Sequence, residues 1–360
     1  MTDLIRSEVC HLDAERGRLT YRGYDVVDLA EHSSFEETAF LLVAGRLPTS
    51  ADLRAFRREL ASRGRLAPDE RRWLARVPVD ADELTVLRTA VSGLGLGAVA
   101  GGAVAGVPPA ALLLLAKVPA FTCERLRLRG GGAKVRGRFG AATALLTALR
   151  GDAPPELERA LDAALVLRAD NELNPGTFAV RVAASTQADL VSAVVAGFGA
   201  LAGPKHSAHT LNVYRLLESV GDASRAREVV RSLVGAGKKP AGFGHPVYRG
   251  EDPRTPVARR LAEEACRAAG RPEWFALARA VEEAVVAESE ARANVDYYLT
   301  SIYVACGLPP AMFAPLFAVA RTPGWIAHAL EQARDPELIR PRATYAGPLD
   351  QKYKSVRARR

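Results

Sequence analysis

The sequence predicts an all-α fold, and three observations lead to that prediction. Alanine, leucine and arginine, which are strong helix formers, are among its most frequent residues. Apolar residues recur at spacings of three and four in several segments, as they do on one face of a helix. Alternating apolar and polar residues, the pattern of a half-buried strand, are scarce. At roughly 150 residues per domain, the length of 360 residues predicts about two domains.

The first half of the chain contains one short strand signal and several helix signals. Ser33 or Ser34 is expected to cap the first helix, because a serine hydroxyl accepts hydrogen bonds from first-turn N–H groups. Pro155 opens another helix, since proline fits the first helical turn. The predicted elements are a strand at Leu19–Tyr24 and helices at Phe35–Ala44, Asp52–Ser62, Glu83–Val91 and Pro155–Leu167.

In the second half, the clearest pattern is Thr186–Leu201, where the apolar residues from Leu190 onward fall on one face. Thr186 with Asp189 resembles a capping box at the start of this helix. Further apolar stripes predict helices at Trp274–Val285, Ala311–Ala320 and Trp325–Ala333.

Composition and charge exclude several classes of protein. The formal charge of +8 admits nucleic acid or anionic ligands, but the charges are dispersed and no nucleic-acid-binding signature is present. Thr89–Ala116 has no charged residue over 28 positions, yet glycines and Pro108-Pro109 interrupt it, so we expect two buried helices joined by a Gly-rich segment rather than a membrane span. Four isolated cysteines and the absence of a signal-peptide pattern predict a reduced, cytoplasmic protein.

Two histidines follow glycines in loops, at Gly203–His206 and Gly242–His245. A glycine lets the backbone approach a ligand closely, and the imidazole can then donate to a carbonyl or enolate oxygen. For either histidine taken alone, a hydrogen bond to a neighbouring carbonyl is the alternative interpretation.

Asp296 lies among aromatic residues at the expected end of a long helix, where a desolvated carboxylate can serve as a general base. Turn contacts at a helix C-terminus are the alternative. Several arginines lie nearby in the sequence, and paired guanidinium groups bind dicarboxylates, although each arginine alone could be a surface residue. The chain has no P-loop, no dinucleotide-binding glycine motif and no partnered metal-ligand cluster, so we expect no metal.

Ordered motifs run along almost the whole chain. They are Leu19–Asp25, Ser34–Ala39, Gly45–Pro48, Gly203–His206, Gly242–His245, Asp252–Arg254, Asn294–Tyr298, Arg321–His328 and Ile339–Arg342. With these motifs in this order, the sequence resembles the citrate synthase family.

The resemblance implies a Claisen condensation of an acyl-CoA, acetyl-CoA or propionyl-CoA, with oxaloacetate or a related 2-oxo acid, as in the tricarboxylic acid cycle. Asp296 would remove the α-proton, His206 would bond the thioester oxygen, and His245 would polarise the acceptor ketone. No cofactor would be bound permanently, because the coenzyme A thioester is a substrate. The implied acceptor-binding residues are Asn171, Arg254, Arg321 and Arg340, and the implied CoA-binding residues are Lys238, Gly242, Phe243, Gly244 and Arg249.

The resemblance also implies two helical domains with the active site in the cleft between them. The large domain would comprise residues 1–207 and 308–360, and the small domain residues 208–307. The implied assembly is a homodimer in which Arg340 completes the partner's site, with no nucleic acid or membrane partner.

The sequence departs from the family pattern around the acceptor. Arg168 and Asn171 stand where the family usually has histidines, and an asparagine can donate a hydrogen bond but carries no charge. Ser207 and Ala208 replace a usual Gly-Gly pair, and Pro246 replaces a usual arginine. We interpret these departures as changed substrate choice.

Two alternative hypotheses remain open from the sequence. The altered acceptor residues also fit a catalytically weak relative that binds ligands or partners, although His206, His245 and Asp296 are retained. A citryl-CoA-type lyase would run related chemistry in reverse, but that relative normally carries additional fused regions.

Overall fold

A computed structural model describes residues 5–130, 140–356 and 359. The chain begins with a small antiparallel sheet of strands β1 (Cys10–Asp13), β2 (Arg18–Tyr21) and β3 (Tyr24–Asp25), in that order. Leu12 pairs with Leu19, and Tyr21 pairs with Tyr24. The predicted strand at Leu19–Tyr24 is therefore split by a tight turn, and the rest of the described fold is almost entirely helical, as predicted.

The helices before the Gly203–His206 motif include those predicted at Phe35–Ala44 and Pro155–Leu167, with the predicted bounds. They are α1 (Val26–His32), α2 (Phe35–Ala44), α3 (Ser50–Arg63), α4 (Pro68–Arg76), α5 (Glu83–Gly93), α6 (Pro109–Leu128), α7 (Ala141–Arg150), α8 (Pro155–Leu167), α9 (Pro175–Ser185) and α10 (Leu190–Leu201). Ser34 caps α2 by accepting a hydrogen bond from the Glu37 N–H at 3.3 Å, as the sequence predicted.

The remaining helices carry most of the motifs. They are α11 (Pro204–Ser207), α12 (His209–Val220), α13 (Ala226–Gly235), α14 (Thr255–Ala268), α15 (Pro272–Ser289), α16 (Val295–Cys306) and α17 (Phe313–Gln332). Short 3-10 turns follow α5 and precede α13 and α17.

Helix α17 forms the centre of the core, because it packs against α2, α5, α6, α8, α9 and α10. Trp325 on this helix is fully buried and lies 5.2 Å from the ring of Phe198. Gly324 faces the segment that follows α8, and a Cβ there would collide with the Ala169 carbonyl and the Asp170 carboxylate. A glycine is thus required for this segment to lie against α17.

A second set of helices packs mainly within itself. Helix α16 packs against α12 and α14, and α13 packs against α15. Helix α8 contacts both α14 and α16, so it links this set to the core around α17. The end of α8 consequently lies where the two sets of helices meet.

Three details of the prediction were wrong. Helix α10 begins at Leu190 with Asp189 as its cap, because Thr186 instead ends α9 and Gln187 has a positive φ of 64°. Asp296 lies in the first turn of α16, not at a helix C-terminus, since α15 already ends at Ser289. The two helices predicted at Ala311–Ala320 and Trp325–Ala333 form one helix, α17, with Pro323 inside it.

The uncharged segment Thr89–Ala116 forms the end of α5, a Gly-rich connection and the start of α6, as expected. Among the described residues, no helix is both long and apolar enough to cross a membrane. Residues 130–132 are three consecutive glycines, a sequence typical of a loop, and they lie largely outside the described residues, which resume at Gly140. All four cysteines are buried and not bonded to one another.

Candidate active site

The loop that carries His245 is joined to the start of α16 by backbone hydrogen bonds. The Asn294 N–H donates to the Gly242 carbonyl at 2.9 Å, and the Gly244 N–H donates to the Arg292 carbonyl at 2.8 Å. Phe243 and Ala293 form an antiparallel bridge between these bonds. Two motifs that are distant in the sequence are thus brought side by side, which places His245 and Asp296 on adjoining segments.

Gly242 is required for this close approach. Its φ is +84°, a conformation that residues with a Cβ rarely adopt. A Cβ built on Gly242 would lie 2.6 Å from Val213 Cγ2 and 2.8 Å from Tyr297 Cδ2. The Phe243 ring lies 4.8 Å from the Tyr297 ring, so the loop also packs on α16 through aromatic contact.

His245 is held in one tautomer. Its Nδ1 accepts hydrogen bonds from the Val247 and Tyr248 backbone N–H groups, each at 3.2 Å. An accepting Nδ1 leaves the proton on Nε2. Burial, reinforced by Arg254, lowers the pKa of His245 to about 4, so the imidazole is neutral at pH 7. His245 therefore presents an N–H donor with no charge.

Arg254 and Asp252 form a buried bidentate pair. Arg254 Nε and Nη2 donate to the two Asp252 carboxylate oxygens at 2.9 and 2.8 Å, and Nη1 donates to the Leu167 carbonyl at 3.3 Å. Asp252 also accepts from the Val295 N–H at 3.2 Å. Burial opposes the charge on Arg254, but Asp252 outweighs it and holds the pKa of Arg254 above its ordinary value. The pair ties the His245 loop to α16 and to the end of α8.

Asp296 occupies the first turn of α16, where the helix dipole favours a negative charge. Asn294 caps the helix, its side-chain oxygen accepting from the Asp296 N–H at 3.1 Å. The Asp296 carboxylate forms an ion pair with Arg168 Nη2, and the Asp296 side chain is 16% exposed against 2% for Arg168. The carboxylate is thus partly open on one side and held by a buried arginine on the other.

His206 and two arginines surround the ring of Phe317. The His206 ring lies 5.5 Å from it, and the guanidinium carbons of Arg168 and Arg321 lie 4.4 and 4.9 Å from its centre. Burial, together with Arg321, lowers the pKa of His206 to about 4. Arg321 Nε donates to the Arg168 carbonyl at 2.8 Å. Phe317 therefore brings the first histidine motif next to the arginines of α8 and α17.

Buried polar atoms without a hydrogen-bond partner converge at this place. Within the described residues they include Arg168 Nη1, His206 Nε2, Arg321 Nη1 and the Asp296 Oδ1 that faces Arg168; Asn171 Oδ1, close to Arg168 in the sequence, is also buried without a partner. Buried polar groups are nearly always satisfied in native proteins, so a cluster of unsatisfied ones indicates a place built for a ligand. Because two of these atoms belong to guanidinium groups, carboxylate is the ligand chemistry that fits.

Other residues predicted for binding lie outside this cluster. Lys238, Arg249 and Arg340 are exposed, while Gly242 and Phe243 are half-buried and Gly244 is exposed at the loop described above. Arg340 follows Ile339, whose N–H donates to Ser185 Oγ at 3.2 Å at the end of α9. The structure thus brings His206, Arg321 and Asp296 together around Arg168 and Phe317, and it places His245 and Arg254 on the loop that adjoins Asp296. Arg340 is not part of this arrangement.

Two residues of the cluster were not among the predicted site residues. Arg168 replaces a usual histidine of the family pattern, and that substitution was the available signal. Phe317 lies in an apolar helix where nothing in the sequence separates a site residue from a core residue. Across the described ranges, no group of three or more His, Cys, Asp or Glu side chains could hold a metal ion.

A cavity of 670 Å³ lies elsewhere, among α2, α3, α4, α6 and α7. Its walls include Arg57 and Arg127, which are paired with Glu36 at 3.9 Å and with Glu124 at 2.7 Å. It shares no residue with the cluster around Phe317.

Comparison with known proteins shows extensive similarity. Residues 2–342 match the family model for the C-terminal domain of citrate synthase. The chain is 36% identical over 349 residues to citrate synthase 2 of Bacillus subtilis, which covers 95% of this chain and 93% of that protein. It is 35% identical over 335 residues to 2-methylcitrate synthase of Shewanella oneidensis, covering 91% and 88% of the two chains.

Solved structures share the fold. Citrate synthase from Thermotoga maritima is similar with a TM-score of 0.87 and 32% identity, covering 100% of this chain and 98% of that one. Citrate synthase from Thermoplasma acidophilum, solved in a ternary complex with carboxymethyl coenzyme A and oxaloacetate, is similar with a TM-score of 0.88 and 26% identity, covering 99% and 97%.

Proposed function

Because this chain belongs to the citrate synthase family, we propose that it condenses an acyl-CoA with oxaloacetate or a closely related 2-oxo acid. It is an enzyme of the citrate synthase type, an acyltransferase that converts the acyl group into an alkyl group on transfer. The observation that carries the choice of substrates is the pair of buried guanidinium nitrogens without a hydrogen-bond partner, Arg168 Nη1 and Arg321 Nη1.

In the proposed reaction, Asp296 removes a proton from the α-carbon of the acyl-CoA while His206 donates to the thioester oxygen. The α-carbon then forms a bond to the acceptor ketone carbon, whose oxygen is polarised by the Nε2–H of His245 and takes up a proton. Water finally cleaves the thioester to give a carboxylate and the CoA thiol. A thioester α-proton is very weakly acidic, so these donors must be placed before the reaction begins.

Neutral histidines suit this chemistry. A neutral imidazole donates a hydrogen bond to a developing enolate or alkoxide without adding a second positive charge beside the arginines. The lowered pKa values of His206 and His245, each to about 4, keep both in that form at pH 7.

We propose that Arg321, Arg254 and Asn171 bind the acceptor carboxylates. Arg321 offers the buried Nη1 that has no partner among the described residues. Three of the five N–H groups of Arg254 donate to Asp252 and Leu167, which leaves two that we assign to the ligand. For the acyl-CoA, we propose that the exposed Lys238 and Arg249 bind the CoA phosphates and that Gly242, Phe243 and Gly244 line the adenine site.

We further propose that residues 208–307 form a small domain that closes on a large domain of residues 1–207 and 308–360. The separate packing of α12–α16 supports this division, and the end of α8 lies at the junction. Closure would exclude water until the thioester is to be hydrolysed.

The proposed assembly is a homodimer, in the cytoplasm, in which Arg340 reaches the partner's acceptor site. Residues 340–356 are exposed, and Tyr345, Leu349 and Tyr353 among them are 67%, 74% and 83% exposed. Apolar side chains on an extended segment are expected to be covered by a second copy. Sedimentation of the purified protein tests the dimer, and restored activity on mixing Arg340→Ala with Asp296→Asn subunits tests the shared site.

The test of the function is CoA-thiol release from the purified protein. Acetyl-, propionyl- and longer acyl-CoAs are each combined with oxaloacetate, 2-oxoglutarate and pyruvate. We expect release that requires both substrates and is strongest with a dicarboxylate acceptor. Release without an acceptor would indicate a thioesterase, and no release with any pair would refute the proposal.

A further inference from the structure

Arg168 is a buried charge that the proposed reaction does not use. It lies at the C-cap of α8, and its side chain is 2% exposed. Nη2 forms the ion pair with Asp296, whereas Nη1 is buried and has no hydrogen-bond partner. Its guanidinium carbon lies 4.4 Å from the centre of the Phe317 ring, so the group packs against that ring. One guanidinium edge is thus occupied, and another is available.

The charges around Arg168 leave this second edge short of an anion. Arg254 is neutralised by Asp252, and the Asp170 carboxylate is engaged by His328 at 3.3 Å. The other groups that face it are Arg321, Tyr303, His206 and His209, and none of them supplies a negative charge at neutral pH. Burial lowers the pKa of Arg168 to about 10, so it remains protonated at neutral pH. Asp296 is the carboxylate that pairs with Arg168, whereas the buried Asp170 carboxylate acts on Arg321.

We propose that Arg168 is a positioning residue shared between the general base and the acceptor. In the empty site, Arg168 pairs with the Asp296 carboxylate. When a 2-oxo dicarboxylate binds, Arg168 Nη1 donates to one carboxylate of the ligand, and the ion pair with Asp296 becomes weaker. A carboxylate paired with a buried arginine is a weak base, so Asp296 becomes an effective base only once the acceptor is present. This inference rests on the proposed function, because it assigns the acceptor carboxylate its partner.

The first test is a double-mutant cycle on oxaloacetate affinity, measured by calorimetry on the full chain without acyl-CoA. Arg168→Gln removes the shared guanidinium and is expected to weaken binding about tenfold or more, as for a lost charge-assisted hydrogen bond. Asp296→Asn releases Arg168, so we expect oxaloacetate to bind about fivefold tighter, since the ligand no longer competes with a carboxylate. When Asp296→Asn is combined with Arg168→Gln, we expect it to give no such gain in oxaloacetate affinity.

A second measurement separates positioning from mere folding. Arg168→Lys keeps the positive charge but removes the planar guanidinium group that can donate to two carboxylates at once. We therefore expect it to raise KM for the acceptor while leaving KM for the acyl-CoA unchanged. Arg125→Gln is the matched control, because Arg125 is equally buried and pairs with Glu83 at 2.8 Å away from the site. It should lower the melting temperature without changing oxaloacetate affinity.

The outcomes distinguish this inference from the function on which it rests. A gain from Asp296→Asn that persists without Arg168 would reflect general repulsion and would overturn the inference, as would unchanged affinity in Arg168→Gln. If the unmodified chain turns over but the two substitutions change oxaloacetate affinity independently of each other, the proposed function stands and the inference is wrong. If the affinities follow the expected cycle but no turnover is found, the condensation is refuted and the role of Arg168 in binding is retained. If oxaloacetate binds neither the unmodified chain nor Asp296→Asn, both are refuted.

Discussion

The side-chain amide of Asn294 donates to the Gly244 carbonyl at 2.9 Å, so the residue that caps α16 also holds the residue before His245. The backbone bonds at Gly242 and Gly244 reinforce this contact. The loop of one proposed catalytic group is therefore attached to the first turn of the helix that carries another. Their relative position depends on one short backbone ladder.

Asp296→Asn is expected to lower kcat about 10²- to 10⁴-fold, because an amide cannot accept the α-proton. Thiol release with acetyl-CoA and oxaloacetate measures the effect. Glu288→Gln removes a carboxylate that pairs with Arg231 on the surface at 3.0 Å and should leave turnover unchanged. Equal turnover in Asp296→Asn and the unmodified chain would show that another group is the base.

Protonation of His206 and His245 should not lower kcat/KM near pH 6.5. The ordinary pKa of a histidine is 6.5, and burial lowers the pKa of both His206 and His245 to about 4. The neutral, active form therefore persists well below pH 6.5, and kcat/KM measured from pH 4.5 to 8 should show no histidine titration centred at 6.5. Stability should fall between about pH 6.5 and 4, since only the unfolded chain takes up these protons there.

Gly242→Ala should cost more stability than Gly244→Ala. Both glycines have positive φ, +84° and +75°, but only a Cβ at Gly242 would meet Val213 and Tyr297. We expect a loss of about 1 kcal/mol at Gly244, from backbone strain, and about 3 kcal/mol or more at Gly242. Chemical denaturation of both variants gives the comparison, and equal losses would contradict the packing described here.

Asp162 on α8 should make the fold less stable as the pH rises. Burial, followed by the nearby Glu36, raises the pKa of Asp162 to about 8 from an ordinary 3.8. Between these values the folded chain keeps a proton that the unfolded chain releases, so the stability falls by up to roughly 1.4 kcal/mol per pH unit. Asp162→Asn should therefore gain stability relative to the unmodified chain from pH 5 to 8, as followed by thermal unfolding. A constant difference would rule out this titration.

Asn171→His is expected to raise kcat/KM for oxaloacetate, because it restores the residue usual in the family beside a site with unpartnered donors. About a tenfold gain corresponds to one additional hydrogen bond of about 1.4 kcal/mol. Rates with pyruvate, which has a single carboxylate, serve as the reference. An unchanged ratio between the two acceptors would mean that Asn171 does not determine acceptor choice.

Local signals predicted much of the fold. Helices α2 and α8 lie where Ser34 and Pro155 predicted their starts, since caps and first-turn prolines act within a few residues. Two separate helices were predicted at Ala311–Ala320 and Trp325–Ala333, yet α17 continues from one to the other through Pro323. Burial of α17 by six neighbouring helices outweighs the lost hydrogen bond, and the sequence alone does not show that packing.

The residue types of the site could be predicted, but not the contacts among them. His206, His245 and Asp296 were chosen for their chemistry and their motifs. The ion pair of Arg168 with Asp296 and the arrangement around Phe317 join segments far apart in the sequence, and only the packing of α8, α16 and α17 brings them together. The first-turn position of Asp296 was missed because the end of α15 at Ser289 gave no clear stop signal.

The absence of a side chain at Gly324 limits how this site can be redesigned. The Ala169 carbonyl and the Asp170 carboxylate occupy the space that a Cβ would fill, and both residues lie between Arg168 and Asn171 in the sequence. Exchanging the side chains at 168 and 171 leaves that backbone path intact and can serve to vary acceptor preference. Inserting or deleting a residue between positions 168 and 171 would displace this segment from its packing against Gly324. Libraries for altered specificity should therefore vary residue identity and keep the length of the segment fixed.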